Sequence, residues 1–246
     1  MTTVLRGRRI LCTRPAGADA ELVALLRAAG ALADALPVLA TSPIDGGVHA
    51  LDRAFEERPD WAVAFTSATA VAVAEPLLHR LIGRVVAAVG PASARALASH
   101  GVTATVVPTL STARALGAAL AAAGVTGVIG AVALEPLPDL ADTLLAAQID
   151  YASVALYSTE RLHLDPATRN DFADADLICV ASPSAVRSLR ENAITANLVA
   201  IGPTTARAAL DEGFSVAAVA ETPSPAGMVA ACQWACSGGG PVSDRA

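Results

Sequence analysis

Short apolar runs alternate along the chain with stretches in which alanine and leucine recur at helical spacing. The apolar runs predict strands at about 9–13, 61–66, 85–89, 104–107, 127–133, 151–157, 176–180, 197–201 and 216–219. The periodic stretches predict helices at about 17–29, 68–82, 91–99, 111–123, 136–147, 183–191, 203–211 and 224–235. Because the strands show little polar alternation and are separated by helices, the pattern indicates an α/β fold with parallel sheets covered by helices on both faces.

An internal repeat divides the chain into two related halves. The segment around Gly90-Pro91 matches the segment around Gly202-Pro203, and the segment around Thr66-Ser67 matches the one around Ser182. Two extended pieces, 38–43 and 156–161, have prolines nearby and are interpreted as crossings between two lobes.

Composition narrows the chemistry that this chain can perform. Hydrophobic residues make up 54% of the chain and charged residues 16%, which indicates a large buried core. All 17 basic residues are arginine, so Schiff-base, P-loop and pyridoxal-phosphate mechanisms that need a lysine are excluded. The net charge of −6 argues against a nucleic-acid or membrane-surface partner.

Two further observations concern location and metal binding. The first residues contain no apolar run of signal-peptide length, and the uncharged stretch 115–134 is punctuated by glycines, as in a helix, a turn and a strand. We therefore expect a cytoplasmic protein. Cys232 and Cys236 share a helix face, but no cysteines or histidines at ligand spacing accompany them, so a metal or redox role is not favoured.

Four predicted strand-to-helix loops carry the candidate chemistry. They place small hydroxyls and free backbone amides at helix N-termini, and they are Thr66-Ser67, Gly90 to Ser93, Ser182 to Ser184 and Gly202 to Thr205. Such loops can be plain helix caps, or they can bind carboxylates or phosphates. Dinucleotide, P-loop and nucleophile-elbow motifs are missing. An enzyme of this sequence would act by positioning its substrate and stabilising charge.

In their order along the chain, these loops resemble the uroporphyrinogen-III synthase family. The matching motifs cover about residues 8–235 and are Thr13-Arg14-Pro15, Phe65-Thr66-Ser67, Gly90-Pro91 with Ser93, Tyr157, Ser182-Pro183-Ser184 and Gly202-Pro203-Thr204-Thr205. The resemblance implies two similar lobes, each a parallel sheet flanked by helices, joined by a two-stranded linker. It places lobe 1 at 1–37 plus 162–236, lobe 2 at 44–155, the linker at 38–43 and 156–161, and a flexible tail at 237–246.

The resemblance also implies an activity. Family members cyclise the linear tetrapyrrole hydroxymethylbilane to uroporphyrinogen III, inverting ring D through a spiro intermediate, without a metal or organic cofactor. It implies that Tyr157 donates a proton to the departing hydroxyl, and that the substrate's carboxylates bind at Arg14, Thr66, Ser67, Gly90, Ser93, Ser182, Ser184, Gly202, Thr204 and Thr205, with Arg161 as a weaker contact. We expect a monomer that can receive its substrate from hydroxymethylbilane synthase.

Alternatives to this interpretation stay open. Segment 133–139 contains no basic residue where family members often carry an arginine, so a non-catalytic module that binds a tetrapyrrole or another acidic ligand remains an alternative. A two-lobed solute-binding receptor is a second one. Tyr157 could equally be a linker residue packed at a hinge.

Overall fold

A computed structural model describes residues 3–14, 16–136 and 138–239 of the chain. The described chain forms two compact units: unit 1 is Met1–Ala40 with Glu160–Ala246, and unit 2 is Thr41–Thr159. The expected flexible tail at 237–246 lies outside the described residues from position 240 onward.

Strands and helices alternate through both units. The strands are β1 (Arg9–Cys12), β2 (Leu32–Ala35), β3 (Leu39–Pro43), β4 (Ala62–Phe65), β5 (Val86–Ala88), β6 (Gly127–Ala133), β7 (Asp150–Arg161), β8 (Leu177–Val180), β9 (Asn197–Ala200) and β10 (Ser215–Val219). The helices are α1 (Ala16–Ala28), α2 (Gly47–Glu57), α3 (Ala68–Val73), α4 (Pro91–Ser99), α5 (Ala113–Ala122), α6 (Asp139–Ala146), α7 (Pro166–Ala173), α8 (Pro183–Glu191), α9 (Pro203–Asp211) and α10 (Pro225–Cys236). Two 3-10 segments, Thr3–Leu5 and Glu75–Leu81, complete the described elements.

The sheet of unit 1 has the strand order β10-β9-β8-β1-β2, and its strands run parallel. Neighbouring residues of each strand point to opposite sides of the sheet, and helices bury both of its faces. Ile10 belongs to a core formed with α1 and α10, whereas Leu11 belongs to a core formed with α7, α8 and α9. Continuous apolar strands of this kind are typical of parallel sheets that are covered on both faces.

The sheet of unit 2 has the order β3-β7-β6-β4-β5, and β7, β6, β4 and β5 run parallel. Phe65 and Ile129 pack on the face covered by α2, α3 and α4, whereas Ala64 and Val128 pack under α5 and α6. The predicted fold class is confirmed: the chain is α/β, with two parallel-dominated sheets flanked by helices.

The uncharged stretch 115–134 forms a helix, a turn and a strand, as predicted. Helix α5 ends at Ala122, Gly124 adopts a φ of +69°, and β6 begins at Gly127. A positive φ is easy for glycine and costly for other residues, which explains the sharp turn here. Among the described residues, no helix is long and apolar enough to cross a membrane.

Two predicted elements differ in the structure, and proline accounts for both differences. The strand predicted at 104–107 is wrong: Val106 makes an isolated parallel bridge to Ala87, and Pro108 follows without a backbone donor to extend the pairing. The helix predicted at 68–82 ends as α3 at Val73 and continues as the 3-10 segment. Pro76 lacks an N–H and clashes with the carbonyl four residues earlier, so an α-helix cannot run through this point.

Asp176 joins the N-terminal ends of β1 and β8 in unit 1. Its Oδ2 accepts a hydrogen bond from the Arg9 amide at 2.8 Å, and its Oδ1 accepts one from Arg8 Nη1 at 2.8 Å. The amide bond from Arg9, together with the bond and charge of Arg8, lowers the pKa of the Asp176 carboxyl below its usual range.

Replacement of Asp176 by asparagine should therefore destabilise unit 1 at neutral pH and not in acid. A lowered folded-state pKa gives stability above the unfolded pKa of about 3.9, and that stability is lost as the pH falls through the folded value. We expect a loss of about 1 kcal/mol at neutral pH, kept small by solvent because the side chain is 35% exposed. Urea unfolding at neutral pH and below the folded-state pKa of Asp176 measures it, and an equal loss at both would contradict the assignment.

Candidate active site

The predicted site residues of unit 2 gather at one edge of its sheet. Because β4, β5, β6 and β7 are parallel, their carboxyl ends lie at the same edge. Thr66 and Ser67 follow β4, Gly90 follows β5, and Tyr157 lies on β7 in register with Ala133 at the end of β6. This edge is where ligands bind in open parallel sheets.

A hydrogen-bonded chain connects Tyr157 to the start of α3. The Tyr157 hydroxyl donates to Ser67 Oγ at 2.9 Å, and Ser67 Oγ also accepts from the Ala70 amide at 3.0 Å. Ser67 is thus the N-cap of α3 as well as the partner of the tyrosine. The neighbouring Thr66 hydroxyl donates to the carbonyl of Ala131 at 3.3 Å, which ties the same loop to β6.

Tyr157 also lines a groove of about 430 Å³ in unit 2. Most of the wall is apolar, with Pro43, Val48 and Val73 among its residues, and Ser42 and Glu75 are polar members. Sequence reasoning missed this groove because its lining combines residues of segment 41–76 with Tyr157, about 80 positions later, and no periodic signal connects them.

The start of α4 is more crowded than its sequence suggests. Gly90 is extended, with φ −176°, a conformation open to any residue, so its backbone does not require glycine. A Cβ at Gly90 would, however, lie 2.8 Å from Ser111 Cβ, closer than real contacts, so packing requires glycine here. Ser93 is 3% exposed, and its hydroxyl would need to become more exposed to contact a substrate.

In unit 1 the predicted loops likewise lie at the carboxyl edge of the sheet. Ser182 follows β8 and caps α8 by accepting from the Ala185 amide at 3.2 Å, and its hydroxyl lies 3.0 Å from that of Ser184. Gly202 follows β9 and begins α9, where Thr204 is exposed and Thr205 is 4% exposed. Like the Ser93 hydroxyl, the Thr205 hydroxyl would therefore need to become more exposed to contact a substrate.

Gly202 differs from its repeat partner Gly90 in its surroundings. Its backbone is extended, with φ −178°, and a Cβ at this position would meet nothing within 4 Å. Neither conformation nor packing within the described residues demands glycine here.

Arg14 is held by a carboxylate that sequence reasoning missed. The Asp19 carboxylate accepts a hydrogen bond from the Arg14 amide at 3.0 Å and lies 4.0 Å from Arg14 Nη1. Asp19 is 4% exposed, and burial raises the pKa of its carboxyl against the opposing effect of Arg14. The sequence feature that could have identified this carboxylate is the position of Asp19, an acidic residue in the first turn of α1. Arg14 is half-exposed, and its predicted neighbour Pro15 lies outside the described residues.

The weaker candidate Arg161 is already paired. Its Nε donates to Glu191 Oε2 at 2.8 Å, and both side chains are about half-exposed. An ion pair of this kind contributes little to stability, so the guanidinium can exchange partners at low cost.

Three cysteines meet between the sheet of unit 1 and α10. Cys12 and Cys179 are register partners on β1 and β8, and Cys179 Sγ lies 3.6 Å from Cys232 Sγ. Cys12 and Cys232 are fully buried and Cys179 nearly so. No group of three or more cysteine, histidine or acidic residues in the described part of the chain could hold a metal ion.

The fold and the strand-end residues together define a class: an α/β protein of two parallel-sheet units, each with hydroxyls and helix-start amides at the carboxyl edge of its sheet, with a tyrosine in unit 2 and an arginine in unit 1. A family model described as uroporphyrinogen-III synthase HemD matches residues 20–230. The chain belongs to the uroporphyrinogen-III synthase family, and thus to the lyases of porphyrin biosynthesis. The resemblance seen in the sequence is confirmed. A search of the curated proteins finds no significant match.

Solved structures support the fold. A mutant uroporphyrinogen III synthase from the extremely thermophilic bacterium Thermus thermophilus is 19% identical, with 94% of this chain and 99% of that chain covered and a TM-score of 0.61. Uroporphyrinogen-III synthetase from Helicobacter pylori is 18% identical, with 91% and 97% covered and a TM-score of 0.58. At these identities the likeness shows that the chains share a fold.

Proposed function

We propose that this chain cyclises hydroxymethylbilane to uroporphyrinogen III, inverting ring D through a spiro intermediate. Family membership supports the reaction, and one observation carries the assignment of the site. Tyr157 is hydrogen-bonded to Ser67 at the carboxyl edge of the unit 2 sheet and lines a groove with largely apolar walls, which supports its proposed role as the proton donor. A pyrrole ring fits such a groove, because its faces are apolar and its reacting carbon must be kept away from water.

In the proposed mechanism the site protonates the terminal hydroxyl, which leaves as water. The remaining azafulvene cation is attacked by the substituted carbon of ring D, and the spiro intermediate then breaks and re-closes with the ring inverted. Tyr157 is the proton source, and the groove fixes the geometry of the two reacting rings. Holding both ends of a flexible chain together lowers the entropic part of the barrier.

The substrate's carboxylates are assigned to loops at the carboxyl edges of the sheets. Amides at the starts of α4, α8 and α9 are donors at the positive ends of helices. The exposed position of Thr204, the partly exposed hydroxyls of Ser182 and Ser184 and the half-exposed Arg14 support direct contacts by these residues. Ser93 and Thr205 are buried, which supports a role in holding these loops in place.

The proposed setting is the cytoplasm, with the chain acting as a monomer. Hydroxymethylbilane closes to isomer I without an enzyme, so direct transfer from hydroxymethylbilane synthase would protect the substrate from that side reaction. Both points are part of the proposal, and size-exclusion chromatography with light scattering tests the monomer.

The deciding experiment supplies purified protein with hydroxymethylbilane made freshly by the preceding enzyme. The products are oxidised and resolved into isomers, and isomer III is the expected product. Isomer I alone, as in a reaction without protein, would contradict the proposal. Tight tetrapyrrole binding under those conditions would then favour the non-catalytic binding module.

A further inference from the structure

We propose that Ser67 is the residue that delivers the proton to the substrate's hydroxyl, and that Tyr157 reprotonates Ser67 from behind. This assignment rests on the proposed function and changes the role of Ser67 from a carboxylate contact to a catalytic residue. It is carried by the direction of the hydrogen bonds at Ser67, by the exposure of the two side chains and by a comparison within the internal repeat.

The hydrogen bonds leave one free donor. Ser67 Oγ accepts from the Tyr157 hydroxyl at 2.9 Å and from the Ala70 amide at 3.0 Å. A serine hydroxyl has two acceptor positions and one donor, so both acceptor positions are occupied and its own O–H remains to be donated outward. The Tyr157 proton, in contrast, already points at Ser67.

The exposure of the two side chains also indicates that Ser67 contacts the substrate and that Tyr157 lies behind it. Tyr157 is 8% exposed, whereas Ser67 is partly exposed at the end of β4. A ligand at the carboxyl edge of the sheet can therefore reach the serine hydroxyl directly, whereas Tyr157, which also lines the groove, has its ring packed in the core of unit 2. A buried acid behind an accessible hydroxyl is the arrangement that a two-step relay requires.

The step balances in atoms and electrons. Ser67 gives its proton to the substrate's hydroxyl oxygen, the bond between that oxygen and the methylene carbon breaks, and water leaves with the bonding electrons. Ser67 takes the proton of Tyr157, which becomes a phenolate. The proton released when the new ring regains its aromatic pyrrole returns through Ser67 to Tyr157, so both residues are restored.

The corresponding loop of unit 1 provides a comparison in which the capping serine pairs with another serine and not with a tyrosine. Ser182 corresponds to Ser67 and caps its helix through the Ala185 amide in the same way. Its hydroxyl, however, lies 3.0 Å from the Ser184 hydroxyl, where Ser67 has a tyrosine. The two repeated loops share a capping role, and the relay is the additional function of the copy in unit 2.

The test measures kcat, KM and the solvent deuterium isotope effect in five variants. S67A and Y157F should each lower kcat by more than about tenfold, and the double variant should be no slower than either alone. S67T keeps the cap and the hydroxyl and should recover most of kcat. S67N keeps an oxygen that can cap α3 and accept from Tyr157 but cannot pass on a proton, so it should stay as slow as S67A.

Controls separate the relay from capping and from binding. T112A removes the cap of α5 in the same unit, where Thr112 accepts from the Ala115 amide at 3.2 Å, and it should leave kcat unchanged. S182A removes a proposed carboxylate contact, and it should raise KM without altering the isotope effect on kcat. Circular dichroism and melting temperature establish that each variant is folded.

Specific outcomes overturn the relay and leave the proposed function standing. If wild-type protein makes isomer III while S67N is as fast as wild type, Ser67 holds Tyr157 in place and passes no proton. If S67A raises KM at unchanged kcat, Ser67 is a carboxylate contact. If the losses in S67A and Y157F multiply, the two residues act independently. Wild-type protein that makes isomer I alone overturns both the relay and the function.

Discussion

Replacing Tyr157 by phenylalanine should lower kcat by more than about tenfold while KM stays close to its wild-type value. The ring and its packing in the core of unit 2 are retained, so binding and folding are preserved. The proton that Tyr157 directs at Ser67 is lost, and departure of the substrate's hydroxyl becomes slow. Initial rates with fresh hydroxymethylbilane, with products resolved into isomers, measure the effect, and the share of spontaneously formed isomer I should rise.

The chain provides a matched control on the same strand. Tyr151 lies earlier on β7, where its side chain packs beside Gly130, and burial raises the pKa of its phenol. Tyr151→Phe removes an equivalent hydroxyl and should leave kcat unchanged. Wild-type turnover in Tyr157→Phe would exclude this tyrosine from the mechanism and favour its alternative role as a packed linker residue.

Replacing Gly130 by valine should destabilise unit 2 by about 3 kcal/mol, the upper end of what overpacking costs. A Cβ at Gly130 would lie 2.7 Å from Tyr151 Cε2 and 2.9 Å from Cζ, closer than real contacts. β6 is paired with β4 on one side and β7 on the other, so the backbone cannot move aside. Urea unfolding, monitored by Trp61 fluorescence in a Trp234→Phe background, reports on unit 2.

Two variants make this stability measurement specific. Gly202→Ala adds a Cβ where nothing lies within 4 Å, and it should change the free energy of unfolding by less than about 1 kcal/mol. Gly130→Val combined with Tyr151→Ala should lose less stability than the sum of the two single changes, because each relieves the other. Additive losses would show that overlap with Tyr151 is not the cause.

Much of the fold could be predicted from the sequence, because most of its strands are buried and continuous. β4, β6, β8 and β9 appear as apolar runs, and the prolines and glycines beside them mark where helices start and stop. The missed helix α7 shows the limit: Phe172 is its one buried residue among those described, so no apolar periodicity exists to be found. β2 is short and partly exposed, and it was missed for the same reason. β3 lies within the extended segment 38–43 that was interpreted as a crossing.

The internal repeat predicted a strand at corresponding positions of both halves, but only the copy in unit 1 forms a full strand. β10 and the segment around Val106 occupy corresponding positions beside β9 and β5, yet β10 is a full strand and Val106 forms a single bridge. Thr105 makes part of the difference, because its Oγ1 accepts the hydrogen bond of the Val86 amide at 3.2 Å in place of a backbone carbonyl. A repeat indicates topology well, whereas local side chains decide how many residues pair.

The candidate site was only partly predictable. Hydroxyls that follow strands are visible as short motifs, and Tyr157 came from the family resemblance. Its hydrogen bond to Ser67 joins residues 90 positions apart, which no local pattern can predict. Asp19 was missed because an acidic residue in a first helical turn is usually a solvated one, and its burial becomes evident once the Arg14 amide is seen to bind it.

The positions of the cysteines make the two units distinguishable to a thiol reagent. All four cysteines belong to unit 1, and hydrogen bonding of the Cys179 thiol with Cys12 and Cys232, together with burial, raises the pKa of that thiol. Cys236 is partly exposed and should react first, whereas the other three should react when unit 1 opens. The labelling rate of the three buried cysteines thus reports the opening of unit 1 alone. A single cysteine introduced at a buried position of unit 2 would report the opening of that unit independently.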